Sequence, residues 1–279
     1  MKYKLIVSDF DGTLNWYDDI VSQRQRTIEA IKAYRAKGGI FTLSTGRSYE
    51  SLVDFLRAYD LHLVDVPVGC YNGAAIYSSA TGELLTQYTI TNDEAIRWVK
   101  HATLQNAYIQ CYVDEKIYVN HINAFSKRYA RGVELNFVEV GDLAKFLSET
   151  GYTPKKMLIM GMPDKISEID HLYNHVYKKD FEKLTFLQSH ATLWEIISAE
   201  ASKGHIVKEI SSMLNIPLSE TICMGDNIND ISMLEVAGLS VAVENARDEV
   251  KAIAKYHTVS CVDGGVATIL EQAVRDELP

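Results

Sequence analysis

Short apolar segments alternate with helical patterns at both ends of this 279-residue chain. Near the start, the apolar segments "YKLIVSD" and "IFTLST" predict buried strands, and "SQRQRTIEAIKAYRAKGG" between them predicts a helix. The same alternation returns after residue 200, with the helical "SKGHIVKEISSMLN" followed by the strand-like "TICMGD". Strands and helices that alternate in this way form βαβ units, whose strands lie parallel in one sheet. The chain is therefore predicted to have an α/β fold with a doubly wound, Rossmann-like parallel sheet.

The middle of the chain has a different pattern. Strand-like pairs such as "AYIQCYVDEKIYVN" and "KLTFLQSHATLWEII" are separated by helical segments such as "PDKISEIDHLYNHVYK". Strands and helices that are grouped in this way are typical of an α+β domain. We therefore predict an α+β domain at residues 84–188, inserted into a doubly wound core that is formed by residues 1–83 and 189–279.

Two aspartates, Asp9 and Asp11, stand one residue apart where the first predicted strand ends, in "VSDFDGTLN". At 4 Å and an effective dielectric constant of 20, two carboxylates repel each other by about 4 kcal/mol. Ligands of open α/β sheets bind at the carboxyl ends of the strands, and a hard cation such as Mg²⁺ prefers carboxylate oxygens. The pair is therefore a candidate metal site, although two solvated loop aspartates would give the same pattern.

Three further segments place reactive side chains at predicted strand ends or helix starts. "CMGDNIND" ends a strand with Asp226 and continues to Asp230. "LSTGRS" ends another strand with a hydroxyl, a glycine N–H and a cation, which together favour an anion site where a helix begins. Lys203 opens the helix that precedes the Asp226 strand. Each signal alone is weak, but the four signals in this order favour one shared functional site.

Composition and charge argue against several classes of protein. The formal net charge of −9, without a basic stripe, argues against a nucleic-acid-binding protein. No apolar stretch reaches the roughly 18 to 20 residues of a membrane span, and the N-terminus lacks the pattern of a signal peptide. The four cysteines are far apart, which favours free thiols in a reducing cytoplasm. No G-x-G-x-x-G follows the first strand, so a dinucleotide site is not predicted.

These motifs together resemble the haloacid dehalogenase (HAD) superfamily, in its Cof-type sugar phosphatase branch with the larger α/β cap (type II, subclass B). "DFDGTL", "STGR", Lys203 and "GDNIND" correspond to its four motifs in order, and "YNGAAIY" is similar to a flanking family pattern. The resemblance implies a cytoplasmic, Mg²⁺-dependent hydrolase of phosphoric monoesters. Its expected partner is a small phosphorylated metabolite, with sugar phosphates favoured, and not a nucleic acid or a membrane. The inserted domain would be the cap that closes over the site and chooses the leaving group.

The resemblance also implies a role for each site residue. Asp9 would be the nucleophile that forms an aspartyl-phosphate, and Asp11 the general acid and base. Mg²⁺ would be held by the carboxylates of Asp9 and Asp226 and by the backbone carbonyl of Asp11. The phosphoryl group would be held by the Phe10 N–H, Thr45, the Gly46 N–H, Lys203 and Asn229. Asp230 is expected to orient Lys203 or a metal-bound water, and Arg47 either to reach the substrate or to brace its loop.

Other functions stay open at this point. The substrate could be a phosphorylated cofactor, such as pyridoxal phosphate or a flavin precursor. A sugar phosphomutase could use the same aspartates to move a phosphate within one sugar. A non-catalytic binding module is disfavoured, because every catalytic side chain that the family uses is present.

Overall fold

The structure is a computed structural model that describes residues 1–15, 21–129 and 135–279. It divides into two compact units. The first unit comprises Met1–Arg47, Leu52–Thr86 and Ser202–Pro279, and the second comprises Ser48–Ser51 and Gln87–Ala201. The described strands are β1 (Leu5–Ser8), β2 (Ile40–Leu43), β3 (Pro67–Cys70), β4 (Ala75–Ser78), β5 (Leu84–Gln87), β6 (Tyr108–Val113), β7 (Lys116–Val119), β8 (Phe137–Glu139), β9 (Lys156–Met160), β10 (Leu184–His190), β11 (Leu193–Ser198), β12 (Thr221–Gly225), β13 (Leu239–Ala242) and β14 (Tyr256–His257). The described α-helices are α1 (Val21–Ala36), α2 (Tyr49–Ala58), α3 (Asn92–Leu104), α4 (Ala124–Tyr129), α5 (Leu143–Thr150), α6 (Pro163–His171), α7 (Lys203–Met213), α8 (Ile231–Val236), α9 (Asp248–Ile253) and α10 (Gly265–Val274).

A five-stranded sheet forms the centre of the first unit, in the order β14-β13-β12-β1-β2. Every pairing in this sheet is parallel. All four residues of β1 are buried, because a strand in the middle of a parallel sheet has both faces covered. The chain leaves β1 toward β2 on one side, whereas β12, β13 and β14 follow on the other side. The carboxyl ends of β1 and β12 therefore lie at the switch point of the sheet, where ligands of such folds bind.

A smaller sheet in the order β3-β4-β5 lies beside the end of β2 in the first unit. A parallel bridge joins Ser44 to Gly69, and the Thr45 N–H donates to the Gly69 carbonyl at 2.9 Å. These contacts fix the loop after β2 against the end of β3. The loop that carries the "STGR" segment is therefore held against β3.

The second unit is built on a six-stranded sheet in the order β10-β11-β9-β6-β7-β8. Its pairings are antiparallel, except that β7 and β8 run parallel. One face packs into an apolar cluster around Trp98, Tyr173 and Trp194, which are at most 1% exposed.

The predicted division at residues 84 and 188 stays a prediction, and residue 188 lies inside β10. No helix in the described part of the chain is both long and apolar enough to cross a membrane.

Candidate active site

The ends of two neighbouring strands bring Asp9 and Asp226 together. β1 and β12 pair in register, with Ser8 opposite Met224. The Asp9 N–H continues this pairing, since it donates to the Met224 carbonyl at 2.9 Å. Asp9 is only 5% exposed. Residues that are 217 positions apart by their numbers thus meet because their strands are hydrogen-bonded neighbours.

Lys203 reaches this pair from the first turn of α7. The helix begins there because the Ser202 side chain caps it, accepting a hydrogen bond from the His205 N–H at 3.0 Å. The Lys203 ammonium, 1% exposed, lies 2.5 Å from Asp9 Oδ1 and 2.6 Å from Asp230 Oδ1. One cation therefore joins the carboxylates that follow β1 and β12.

Asp230 is fully buried, and each of its carboxylate oxygens has partners. Oδ1 accepts from Lys203, while Oδ2 accepts from the backbone N–H groups of Asp226 and Asn227, both at 2.9 Å. The two bonds to Oδ2 close the turn after β12 and fix the position of Asp226. These contacts support the expected role of Asp230 in orienting Lys203.

The electrostatics of this cluster favour a bound cation. Burial raises the pKa of Asp9 well above its usual range; Lys203 opposes the rise, and Asp230 and Asp226 add to it. Burial, followed by the charge of Asp230, also raises the pKa of Asp226, to about 6. Burial disfavours the charged form of Lys203, but the two carboxylates beside it outweigh this effect and raise its pKa. Burial is thus the main cause of both raised carboxyl pKa values, and a bound cation would favour the ionised forms of Asp9 and Asp226.

The chemistry of the cluster fits a divalent cation. Asp9, Asp226 and Asp230 each place a carboxylate oxygen within 4.8 Å of the others. Three carboxylates face one ammonium, which leaves an excess of two negative charges, and one divalent cation balances that excess. Oxygen ligands of this kind suit Mg²⁺. Because Asp230 already accepts three hydrogen bonds, Asp9 and Asp226 are the side chains best suited to hold the ion.

Asp226 is held by residues of the loop after β1. The Thr13 hydroxyl donates to Asp226 Oδ1 at 2.7 Å. Gly12 has a φ of +88°, and a Cβ atom there would lie 2.6 Å from Asp226 Oδ2. The Asn245 amide donates to the Gly12 carbonyl at 2.8 Å and accepts from the Cys261 N–H at the same distance. The roles of Thr13 and Asn245 were not predicted, because nothing local to either residue indicates a partner on a distant loop.

Arg47 pairs with Asp11 instead of joining the acidic cluster. Its Nε and Nη2 atoms each lie 2.7 Å from a carboxylate oxygen of Asp11. The guanidinium carbon lies 5.0 Å from the ring centre of Phe10 and 4.9 Å from that of Phe55. Of the two roles expected for Arg47, these contacts favour bracing, since the side chain holds Asp11 from the loop after β2.

The other residues predicted to bind phosphate lie around the same strand ends. Phe10 is buried, and its carbonyl accepts from the N–H groups of Leu14 and Asn15, which closes the tight turn after Asp9. Thr45 is 1% exposed, and its hydroxyl accepts from the Arg47 N–H at 3.2 Å. These bonds shape the loops after β1 and β2.

Asn229 and Gly46 meet at Asn72, a residue whose role was not predicted. The Asn229 amide donates to Asn72 Oδ1 at 2.9 Å, and a Cβ atom on Gly46 would lie 3.0 Å from Asn72 Nδ2. The available signal was the "YNG" stretch after a strand, because asparagine and glycine favour left-handed turns. That signal gives the turn but not its partners.

A family model described as haloacid dehalogenase-like hydrolase matches residues 6–270 of this sequence. The chain belongs to this family. It is 29% identical to phosphatase YwpJ of Bacillus subtilis (strain 168), over 96% of this chain and 99% of that protein. It is 27% identical to 5-amino-6-(5-phospho-D-ribitylamino)uracil phosphatase YwtE of the same organism, over 96% and 97% of the two chains.

Solved structures of the family share the fold. The HAD subclass IIB sugar phosphatase BT4131 superimposes with a TM-score of 0.79, over 97% of this chain and 98% of that one, at 23% identity. The predictions of the superfamily, of a doubly wound α/β fold and of an enzyme that hydrolyses phosphoric monoesters are thereby confirmed.

Proposed function

We propose that this HAD phosphatase is a Mg²⁺-dependent phosphohydrolase of small metabolites, with sugar phosphates as its favoured substrates. The observation that carries the proposal is the position of the Asp9 carboxylate, at the switch point of the sheet and 2.5 Å from Lys203. A nucleophile needs a defined position and a cationic neighbour for the dianionic ester that it attacks. When bound by Asp9 and Asp226, Mg²⁺ would neutralise charge on the phosphoryl oxygens.

In the proposed reaction, an Asp9 oxygen attacks phosphorus and the ester bond to the leaving alcohol breaks, which leaves an aspartyl-phosphate. Asp11 gives a proton to the leaving alkoxide. In the second step Asp11 takes a proton from water, which attacks phosphorus and restores the Asp9 carboxylate. Lys203 and Asn229, with the N–H groups of Phe10 and Gly46 and the Thr45 side chain, would hold the phosphoryl oxygens.

We further propose that residues 84–188 act as the cap that selects the leaving group, and that the enzyme works in the cytoplasm on small phosphorylated molecules. A flavin precursor is the second candidate substrate. The relative YwtE, named as a 5-amino-6-(5-phospho-D-ribitylamino)uracil phosphatase, supports it at 27% identity. That compound joins a ribityl phosphate to a uracil ring, so it also presents a sugar-like phosphoester.

The test is phosphate release from a panel of phosphorylated sugars and cofactors, by the wild type and by Asp9→Asn, with and without Mg²⁺. We expect the wild type to release phosphate only with Mg²⁺ present, EDTA to stop it, and Asp9→Asn to fall to background. Asp54→Asn is the matched control, because Asp54 is 90% exposed on α2. Full activity of Asp9→Asn, or indifference to EDTA, would overturn the mechanism, and an isomeric sugar phosphate without free phosphate would indicate a mutase.

A further inference from the structure

The chain after β3 takes an unusual backbone conformation beside the proposed site. Tyr71, Asn72 and Gly73 have φ angles of 54°, 56° and 101°, so three successive residues lie in the left-handed region. Asparagine and glycine adopt this region readily, but an aromatic residue rarely does. Tyr71 is 1% exposed. The surrounding structure therefore imposes this turn, and such imposed turns are concentrated at functional sites.

The turn touches the loops that carry the site. The Tyr71 N–H donates to the Arg47 carbonyl at 2.9 Å. Gly73 lies against the backbone of Ser202, which caps the helix of Lys203; a Cβ atom on Gly73 would overlap the Ser202 carbonyl. The turn thus contacts the loop after β2 and the start of α7.

Asn72, at the centre of the turn, contacts three residues of the proposed phosphate site. Its N–H donates to the Thr45 carbonyl at 2.9 Å. Its Oδ1 accepts from the Asn229 amide, and its side chain packs directly against Gly46. Asn72 itself is 1% exposed. A single buried side chain therefore links the loop after β2 to the turn after β12.

We infer that Asn72 is a positioning residue that orients the Asn229 amide and the Gly46 N–H toward the transferring phosphoryl group. The inference rests on the proposed function of the site. The amide of Asn229 is planar, so its bond to Asn72 Oδ1 fixes the directions of its second N–H and of its own oxygen. Donors that are fixed before the substrate binds spend no free energy on reorientation during the reaction. Donors fixed in this way stabilise a phosphoryl anion more effectively than mobile ones.

The decisive variant is Asn72→Gly, because glycine keeps the left-handed backbone without strain and removes only the amide. We expect KM for p-nitrophenyl phosphate and the inhibition constant of inorganic phosphate both to rise about 3- to 10-fold, the range for one lost hydrogen bond. Asn215→Gly is the matched control. Asn215 has a φ of 53° and is exposed after α7, so it undergoes the same exchange away from the site.

A double-mutant cycle separates positioning from general support of the fold. Asn72→Gly and Asn229→Ala remove the same hydrogen bond, so we expect their combined effect on KM to be smaller than the product of the single effects. A combined effect on KM equal to the product of the two single effects would overturn the inference. Equal KM values for Asn72→Gly and Asn215→Gly would overturn it as well.

If Asn72→Gly fails to fold, Asn72→Ala and Asn215→Ala replace the pair, because alanine has the same left-handed strain at both positions and only the first exchange removes the acceptor for Asn229. We expect KM to rise in Asn72→Ala alone, whereas equal KM values in the two variants would contradict the inference. Failure of the proposed function would appear differently, as a wild type that releases no phosphate from any ester. Calorimetric binding of inorganic phosphate would then still distinguish Asn72→Gly from Asn215→Gly.

Discussion

Arg47 holds the carboxylate of Asp11 at two points, with both N–O distances at 2.7 Å. The planar guanidinium packs against the rings of Phe10 and Phe55, which restricts its orientation. Asp11 is 33% exposed at its side chain and has room to move without this partner. Arg47 therefore determines where the proposed general acid sits.

We predict that Arg47→Lys impairs acid catalysis more than substrate binding. Lysine can make one bond to Asp11 but not two, so Asp11 would lose its fixed orientation. An alkyl phosphate needs a proton on its leaving group, whereas p-nitrophenolate leaves without one. We expect kcat/KM for an alkyl phosphate to fall about tenfold more than for p-nitrophenyl phosphate, a part of the roughly 100- to 10,000-fold that general acids supply.

Arg57→Lys is the control for this experiment, since Arg57 is 67% exposed on α2. It should leave both kcat/KM values unchanged. Equal losses for the alkyl and aryl esters in Arg47→Lys would instead indicate that Arg47 binds the phosphoryl group itself.

The sequence predicted the parts of the site that depend on periodicity and strand ends. Apolar segments located β1 and β12, and the carboxyl ends of parallel strands meet at one edge, so Asp9 and Asp226 were expected together. The start of α7 was also predicted, since Lys203 was expected to open that helix and is its first residue.

The contacts that brace the site could not be predicted in the same way. Thr13 and its partner Asp226 are 213 positions apart, and Asn72 and its partner Asn229 are 157 apart. The sequence around a hydroxyl or an amide does not indicate a partner so far along the chain, because the pairing depends on how loops from different strands meet. The left-handed φ of Tyr71 could not be predicted from the sequence either, since aromatic residues rarely adopt that conformation.

We predict that Gly12→Ala disrupts the metal site through the position of Asp226. A Cβ at residue 12 would lie 2.6 Å from Asp226 Oδ2, and the φ of +88° adds strain. Gly38→Ala is the matched control, because its φ of +83° gives similar strain with no atom within 4 Å. Both variants should lose about 1–2 kcal/mol of stability from strain, but only Gly12→Ala should need a higher Mg²⁺ concentration for half-maximal activity. Equal Mg²⁺ requirements in the two variants would contradict the prediction.

Glu50, Glu115 and Lys155, all in the second unit, form a group that should make stability depend on pH. The pKa of Glu50 is raised to about 8, mainly by burial; the hydrogen bond and charge of Glu115 contribute to the rise, and a backbone hydrogen bond and the charge of Lys155 oppose it. The Lys155 ammonium lies 3.0 Å from Glu115 Oε1. The proton that Glu50 keeps is therefore one that it shares with a neighbouring carboxylate.

The sign of the effect follows from the proton balance. Between the ordinary pKa of 4.5 and the raised value of about 8, folded Glu50 holds a proton that unfolded Glu50 has lost. The free energy of unfolding therefore decreases as pH rises through this window.

Glu50→Gln should remove this part of the decrease, because an amide donates to Glu115 at every pH. Urea denaturation with EDTA at about pH 5, 6.5 and 8 measures the difference, and Glu182→Gln, at an exposed position in the same unit, is the control. Parallel pH profiles for the wild type and Glu50→Gln would show that Glu50 does not hold this proton.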